Sequence, residues 1–148
     1  MTSVRGGAGQ NLRRSGLLAW LRLARVFQKV ERDSGEHLRG WDLSVAQFDV
    51  LAHVGAKEGM TQRELADALL VTKGNVCQLL DRMEDRGLIS RRQEGRAKRL
   101  FLTDAGRRLF AEVVPEHEAV IAERFSVLSE GEQERLHELL RKIDKALV

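Results

Sequence analysis

The chain has 148 residues, about one domain's worth, and can build a core without disulfides or a structural metal. Apolar residues make up 43% and charged residues 32%, but aromatics only 5% with no Tyr, which favours helices and argues against a β-sandwich or barrel. A single cysteine, Cys77, and the absence of any apolar run near ~18 residues exclude a disulfide scaffold and a membrane span, and point to the reducing cytoplasm.

The net charge of +3 is unevenly spread. Residues 1–60 hold nine Lys/Arg against six Asp/Glu, residues 61–110 eleven against seven, and residues 111–148 five against nine. The densest basic stretch is 86–99, where Arg86, Arg91, Arg92, Arg96, Lys98 and Arg99 oppose Glu94 alone. A basic middle and an acidic end predict one surface that faces a polyanion and another that does not.

In chain order, residues 1–14 carry basic side chains without an apolar stretch behind them, so they are no secretory signal and read as a short disordered tail. Over residues 15–39, Leu17, Leu18, Leu21, Ala24, Phe27 and Val30 recur at spacings of three and four, predicting a long helix ended by Gly40. Ser44 and Gln47 form an S-x-x-Q capping box ahead of Phe48, Leu51 and Val54. Thr61 and Glu64 form a second, T-x-x-E, capping box that opens a short helix through Leu65, Leu69 and Leu70, and Thr72 is the candidate N-cap of a helix over 73–86. Gly87 follows as the residue past its end, with Leu88 as the apolar partner.

After Gly87 the period changes from helical to alternating. Residues 88–93 and 98–103 read as two strands around Gly95, with Leu100 and Leu102 on one face and Arg99 and Phe101 on the other. Thr103 caps the next helix, which runs through Leu109, Val113 and Val114 to Pro115, where a kink or a new segment is expected. The pattern continues through Val120, Ile121, Phe125 and Leu128. A third box, Ser129 to Glu132, opens a last helix with Leu136, Leu139, Leu140, Ile143 and Leu147.

Two helices joined by about three residues, the second followed by a basic hairpin, describe a winged helix-turn-helix: a mainly α fold with a small β-hairpin wing. In the helix over 73–86, Val76, Leu79, Leu80 and Met83 form the inward stripe. Thr72, Lys73, Gly74, Asn75, Gln78 and Arg82 are left at the helix start or on the outer face. Free N–H groups at that helix start suit a phosphate, Gly74 permits close approach, and Asn75 and Gln78 can make paired hydrogen bonds to a base edge. Lys73 and Arg82 can reach phosphate or guanine. On the hairpin, Arg96 sits at a tip thin enough for a narrow minor groove, flanked by Lys98 and Arg99. These are the candidate DNA-binding residues, and double-stranded DNA is the expected partner.

Residues 60–109 resemble the DNA-binding lobe of the MarR family, the multiple antibiotic resistance regulators. The specific parts are the run from Leu79/Leu80 to Ile89 (L-x-x-R-M-E-x-R-G-L-I) and the wing signature D-x-R-x-K-x-x-x-L-T-x-x-G. The wing here runs from Glu94 to Gly106, with Glu94 where the family usually has Asp. The resemblance spans about Leu12 to Leu147. It implies one domain over 15–148, with dimerisation helices over 15–40 and 104–148 and a winged helix-turn-helix lobe over 44–103. It further implies a homodimer whose repression a ligand relieves. Effectors in the family generally sit between the dimerisation helices and the lobe, which makes Trp20, Phe48 and His53 candidate lining residues for a small aromatic or anionic effector. Trp41 is the candidate lid over the corner between the first two helices.

Other chemistry finds little support. The family's peroxide sensors carry their reactive Cys near the start of the first helix, which has none here, so Cys77 reads as a packing or DNA-proximal residue. His37, His53, His117 and His137 form no H-x-x-x-H pair, and neither metal nor cofactor is expected. The chain has no nucleophile elbow and no Gly-rich loop after a strand, so no enzyme is expected. A winged helix used only as a protein adaptor is the alternative.

Overall fold

The structure, a computed structural model, describes residues 3–71 and 73–148, with side chains at all of these positions except 3–8, 10, 12 and 73. Six helices and one hairpin follow each other as α1 (Ser3–Leu38), α2 (Val45–Ala56), α3 (Gln62–Leu69), α4 (Lys73–Asp85), β1 (Ile89–Glu94), β2 (Ala97–Leu102), α5 (Asp104–Arg124) and α6 (Glu130–Ala146). A 3-10 turn over Arg39–Trp41 closes α1.

Local signals place most of these boundaries. The capping boxes Ser44–Gln47 and Ser129–Glu132 are both formed in full. Thr61 accepts the Glu64 N–H at 3.0 Å, and the Glu64 carboxylate reaches Lys57 at 2.9 Å. The end of α4 is a Schellman motif: Gly87 takes φ 71, Leu88 N–H donates to Met83 O at 3.0 Å, and Gly87 N–H donates to Glu84 O at 2.8 Å. Helix and strand are therefore joined with nothing between them but this closure. The candidate cap Thr72 lies outside the described residues.

Three expectations differ from what is found. First, α1 begins at Ser3, so the backbone of residues 3–14, expected as a tail, is helical. No proline precedes Ser15, and extending an established helix costs little per residue. Second, the chain reverses after α1 at Asp42, with φ 55, rather than at Gly40. Gly40 is taken up by the 3-10 turn, and Asp is among the residue types that tolerate the left-handed region. Third, no new segment begins at Pro115: α5 continues through it as one helix. Val113, Val114 and His117 on either side are buried, and their packing carries the helix across the missing donor.

The core lies under the hairpin and between α2, α3, α4 and α5. Val76, Leu80 and Met83, the inward stripe of α4, meet Leu51, Val54, Leu65, Ile89 and Leu100 there. The hairpin pairs antiparallel from Ile89↔Leu102 to Glu94↔Ala97, which leaves Gly95-Arg96 as a two-residue turn with Gly95 at φ 61. β2 is also tied to the segment before α3: Gly59 N–H donates to Leu100 O at 2.8 Å, and Leu100 N–H donates to Met60 O at 2.9 Å. The outer helices contrast with this core. Leu17, Leu18, Trp20, Leu21 and Phe27 on α1 are exposed, and α6 has no buried residue.

Candidate nucleic-acid interface

One open cleft lies between the start of α3 and the wing, lined by Gln62 and Arg63 from α3, the inward-facing Val76 of α4, and Gln93, Arg96 and Lys98 from the wing. Gly74, Asn75, Gln78 and Arg82 are exposed on α4. Among the described residues, a Cβ added at Gly74 would meet nothing within 4 Å, so this side of the helix start leaves room for an approaching surface. The Lys73 side chain lies outside the described part. Sequence reasoning missed Gln62, Arg63 and Gln93. Their place beside the wing depends on how α3 meets the hairpin, which no local pattern encodes.

The basic stretch divides into two kinds of cation. Arg86 donates from Nη1 to Asp42 O at 2.7 Å. Arg91 reaches Glu84 and Asp81 on α4, and these contacts, Glu84 first, hold its guanidinium above the usual arginine value. Arg92 stacks over the Phe101 ring at 4.6 Å. Arg99, a candidate DNA contact, gives Nε to Glu94 at 2.8 Å and Nη1 to Gly59 O at 2.8 Å, which ties β2 both to β1 and to the segment before α3. Arg96 and Lys98 make no ion pair among the described residues. Of the three wing cations singled out from the sequence, Arg99 is engaged within the chain, and Arg96 and Lys98 have no ion pair among the described residues.

At the base of the wing, Glu58 accepts the Leu102 N–H at 2.9 Å and pairs with Arg107 at 3.0 Å. The backbone hydrogen bond, then Arg107, holds its carboxyl below the ordinary carboxylate range. Cys77 on α4 is half-buried, with its Sγ 2.8 Å from the Gln62 amide nitrogen of α3.

The three candidate effector residues are not brought together within the chain. Phe48 is buried against His117, with ring centroids 4.4 Å apart. His53 is exposed, its Nδ1 bonded to Asp49 O at 2.7 Å, and Trp20 is exposed on α1. None of them lines the cleft at the wing, nor a second open cleft between the end of α1 and the start of α2. Trp41, the candidate lid, is partly buried against the core between α1 and α2, and its Nε1 donates to Glu112 at 3.2 Å.

Comparison with known proteins sets this arrangement in a family. The model of the MarR family matches residues 41–100. An HTH-type transcriptional regulator of Bacillus cereus is 39% identical over 131 residues, covering 88% of this chain and 89% of that protein. The S. aureus MepR–DNA complex has a TM-score of 0.78 at 26% identity, covering 87% of this chain and 97% of that one. A MarR-family protein of Mycobacterium tuberculosis in complex with salicylic acid has a TM-score of 0.65 at 25% identity, covering 82% and 92%. No helix among the described residues is long and apolar enough to cross a membrane. With its six helices, basic hairpin and this degree of similarity along its length, the chain belongs to the MarR family of winged helix-turn-helix transcriptional regulators.

Proposed function

We propose that this protein is a sequence-specific DNA-binding repressor, acting as a homodimer on a pseudo-palindromic operator that a small aromatic or anionic effector makes it release. The observation that carries the DNA reading is the exposed face of α4 (Gly74, Asn75, Gln78, Arg82) together with a wing cleft where Arg96 and Lys98 have no ion pair among the described residues. In this reading the α4 N-terminus (Thr72, Lys73, Gly74, Asn75) and Gln78 face base edges and phosphates, Arg82 and Lys98 take phosphate, and Arg96 enters the minor groove. The similar fold of S. aureus MepR, solved with DNA, supports it.

The homodimer is supported by the apolar side chains left open on α1 (Leu17, Leu18, Trp20, Leu21, Phe27) and α6 (Leu139, Ile143), since clustered exposed apolar residues mark interfaces. Trp20 and His53 are free to line an effector cleft that a partner protomer completes, with Phe48 in the wall beneath. The relative solved with salicylic acid supports a carboxylated aromatic as the ligand class.

Titration of a duplex containing the selected operator against increasing salt tests the reading. A DNA reader loses affinity steeply, by about one power of salt per phosphate neutralised. Affinity indifferent to salt would point instead to a protein adaptor.

A further inference from the structure

Beyond the backbone closure and the shared core, one charged side chain of the wing reaches back to the recognition helix α4. Arg91 lies on the core face of β1, opposite Leu100, and its side chain is only 18% exposed. Its Nε donates to Glu84 at 3.0 Å, and its Nη2 reaches Asp81. The two acids lie three residues apart on α4, and Asp81 is three residues beyond Gln78, so all three share one side of the helix. Two carboxylates on a helix that approaches phosphate would repel it; a guanidinium held between them cancels that charge in place. The same fork is rigid and planar, so it also fixes where β1 stands relative to α4.

We infer that Arg91 is a positioning residue of the DNA-reading apparatus: it holds the wing against α4, neutralises Asp81 and Glu84, and touches no phosphate itself. The inference rests on the DNA-binding reading above. It separates Arg91 from Arg96 and Lys98, although all three belong to the same basic run. A guanidinium with two carboxylates already on it, and mostly covered by its own chain, has little left to offer a duplex.

A mutant cycle on the full-length protein tests this, using a duplex selected from a random library by the wild type. Arg91→Met is expected to weaken binding by roughly tenfold. Asp81→Asn with Glu84→Gln should then restore most of that loss. The same two neutral substitutions beside an intact Arg91 should improve binding far less, because Arg91 already cancels the charges they remove. If Arg91 were instead a phosphate contact, neutralising the acids would give the same gain with or without it, and that equality would overturn the inference. Should Arg91→Met fail to fold by circular dichroism, Arg91→Gln carries the same cycle, since it too removes the charge but keeps a polar stem. A wild type that selects no sequence and shows no salt dependence would sink the DNA-binding reading itself, which is a different outcome from an additive cycle in a protein that binds.

Discussion

His37 and His117 meet between α1 and α5 with their Nδ1 atoms 2.9 Å apart. One ring must donate and the other accept, so the contact needs a single proton between the two facing nitrogens. His117 is 1% exposed and packs against Phe48, while the His37 ring lies 5.0 Å from Trp41. Burial first, and then His37, hold His117 below the ordinary histidine value of 6.5.

That shift fixes a sign for stability against pH. The unfolded chain takes up a proton at the ordinary value and the folded chain only below it, so the unfolded state binds more protons on acidification. The stabilisation is present above about 6.5 and is lost as pH falls through the lowered folded value. Thermal melts from pH 8 to pH 5 should therefore show wild type losing its advantage over His117→Phe towards the acid end. An advantage that grows on acidification would overturn the assignment.

Gly106 should tolerate no side chain. A Cβ there would collide with the Leu88 carbonyl oxygen, which also accepts the Thr103 N–H at 3.1 Å. Gly106→Ala is expected to cost roughly 1–3 kcal/mol, since backbone on both sides must move apart. Urea denaturation measures it, and a midpoint equal to that of wild type would show the approach to be looser than described.

The apolar stripe of α6 should be an interface. Leu136 and Leu140 are half-buried, Leu139 and Ile143 exposed. Leu140→Asp is expected to give monomer or aggregate and to abolish operator binding. Light scattering that found a DNA-competent monomer would rule the dimer out.

Gln78 should read a base. A two-fold dimer presents two equal helices, so protected half-sites should be centred about one helical turn, ~10 bp, apart. Gln78→Ala removes a bidentate pair of hydrogen bonds from each half-site. It should relax preference at one symmetric pair of positions, by about 1–3 kcal/mol at each. Selection from randomised operators reads this directly, and an unchanged preference would place Gln78 against phosphate or protein.

Arg96 and Lys98 should separate by what they read. Arg96→Ala should flatten preference for A/T-rich flanks, whose minor groove is narrow and negative, while leaving the fold intact. Lys98→Ala should weaken all sequences alike and lower the salt slope by about one phosphate equivalent. Binding isotherms on A/T- and G/C-flanked operators distinguish them. Equal losses on both flanks for Arg96→Ala would make it one more phosphate ligand.

Much of this was legible locally. Capping boxes at Ser44 and Ser129, the Gly87–Leu88 closure and the alternation around Gly95 each involve residues close in sequence, so pattern and geometry coincide. The partners of the engaged arginines were not legible. Arg99 meets Gly59 across 40 residues and Arg86 meets Asp42 across 44, and a basic run looks the same whether its charges face DNA or brace a fold. The histidine pair spans 80 residues and has no signature at all. Gly40 misled because glycine permits a left-handed turn without requiring one; the 3-10 turn moved the reversal two residues on.

The closure between α4 and β1 leaves no slack between the two parts that would enter the grooves. Leu88 is both the last partner of the helix and the residue before the strand, and Arg91 locks the two again a few residues later. Each lobe is therefore a stiff jaw, with its major- and minor-groove elements at a set distance. In the proposed dimer, a ligand that bends the long outer helices changes only the gap between two such jaws. The molecule would then act as a caliper: it accepts a duplex whose half-sites match its opening and rejects the same bases presented a step too far apart.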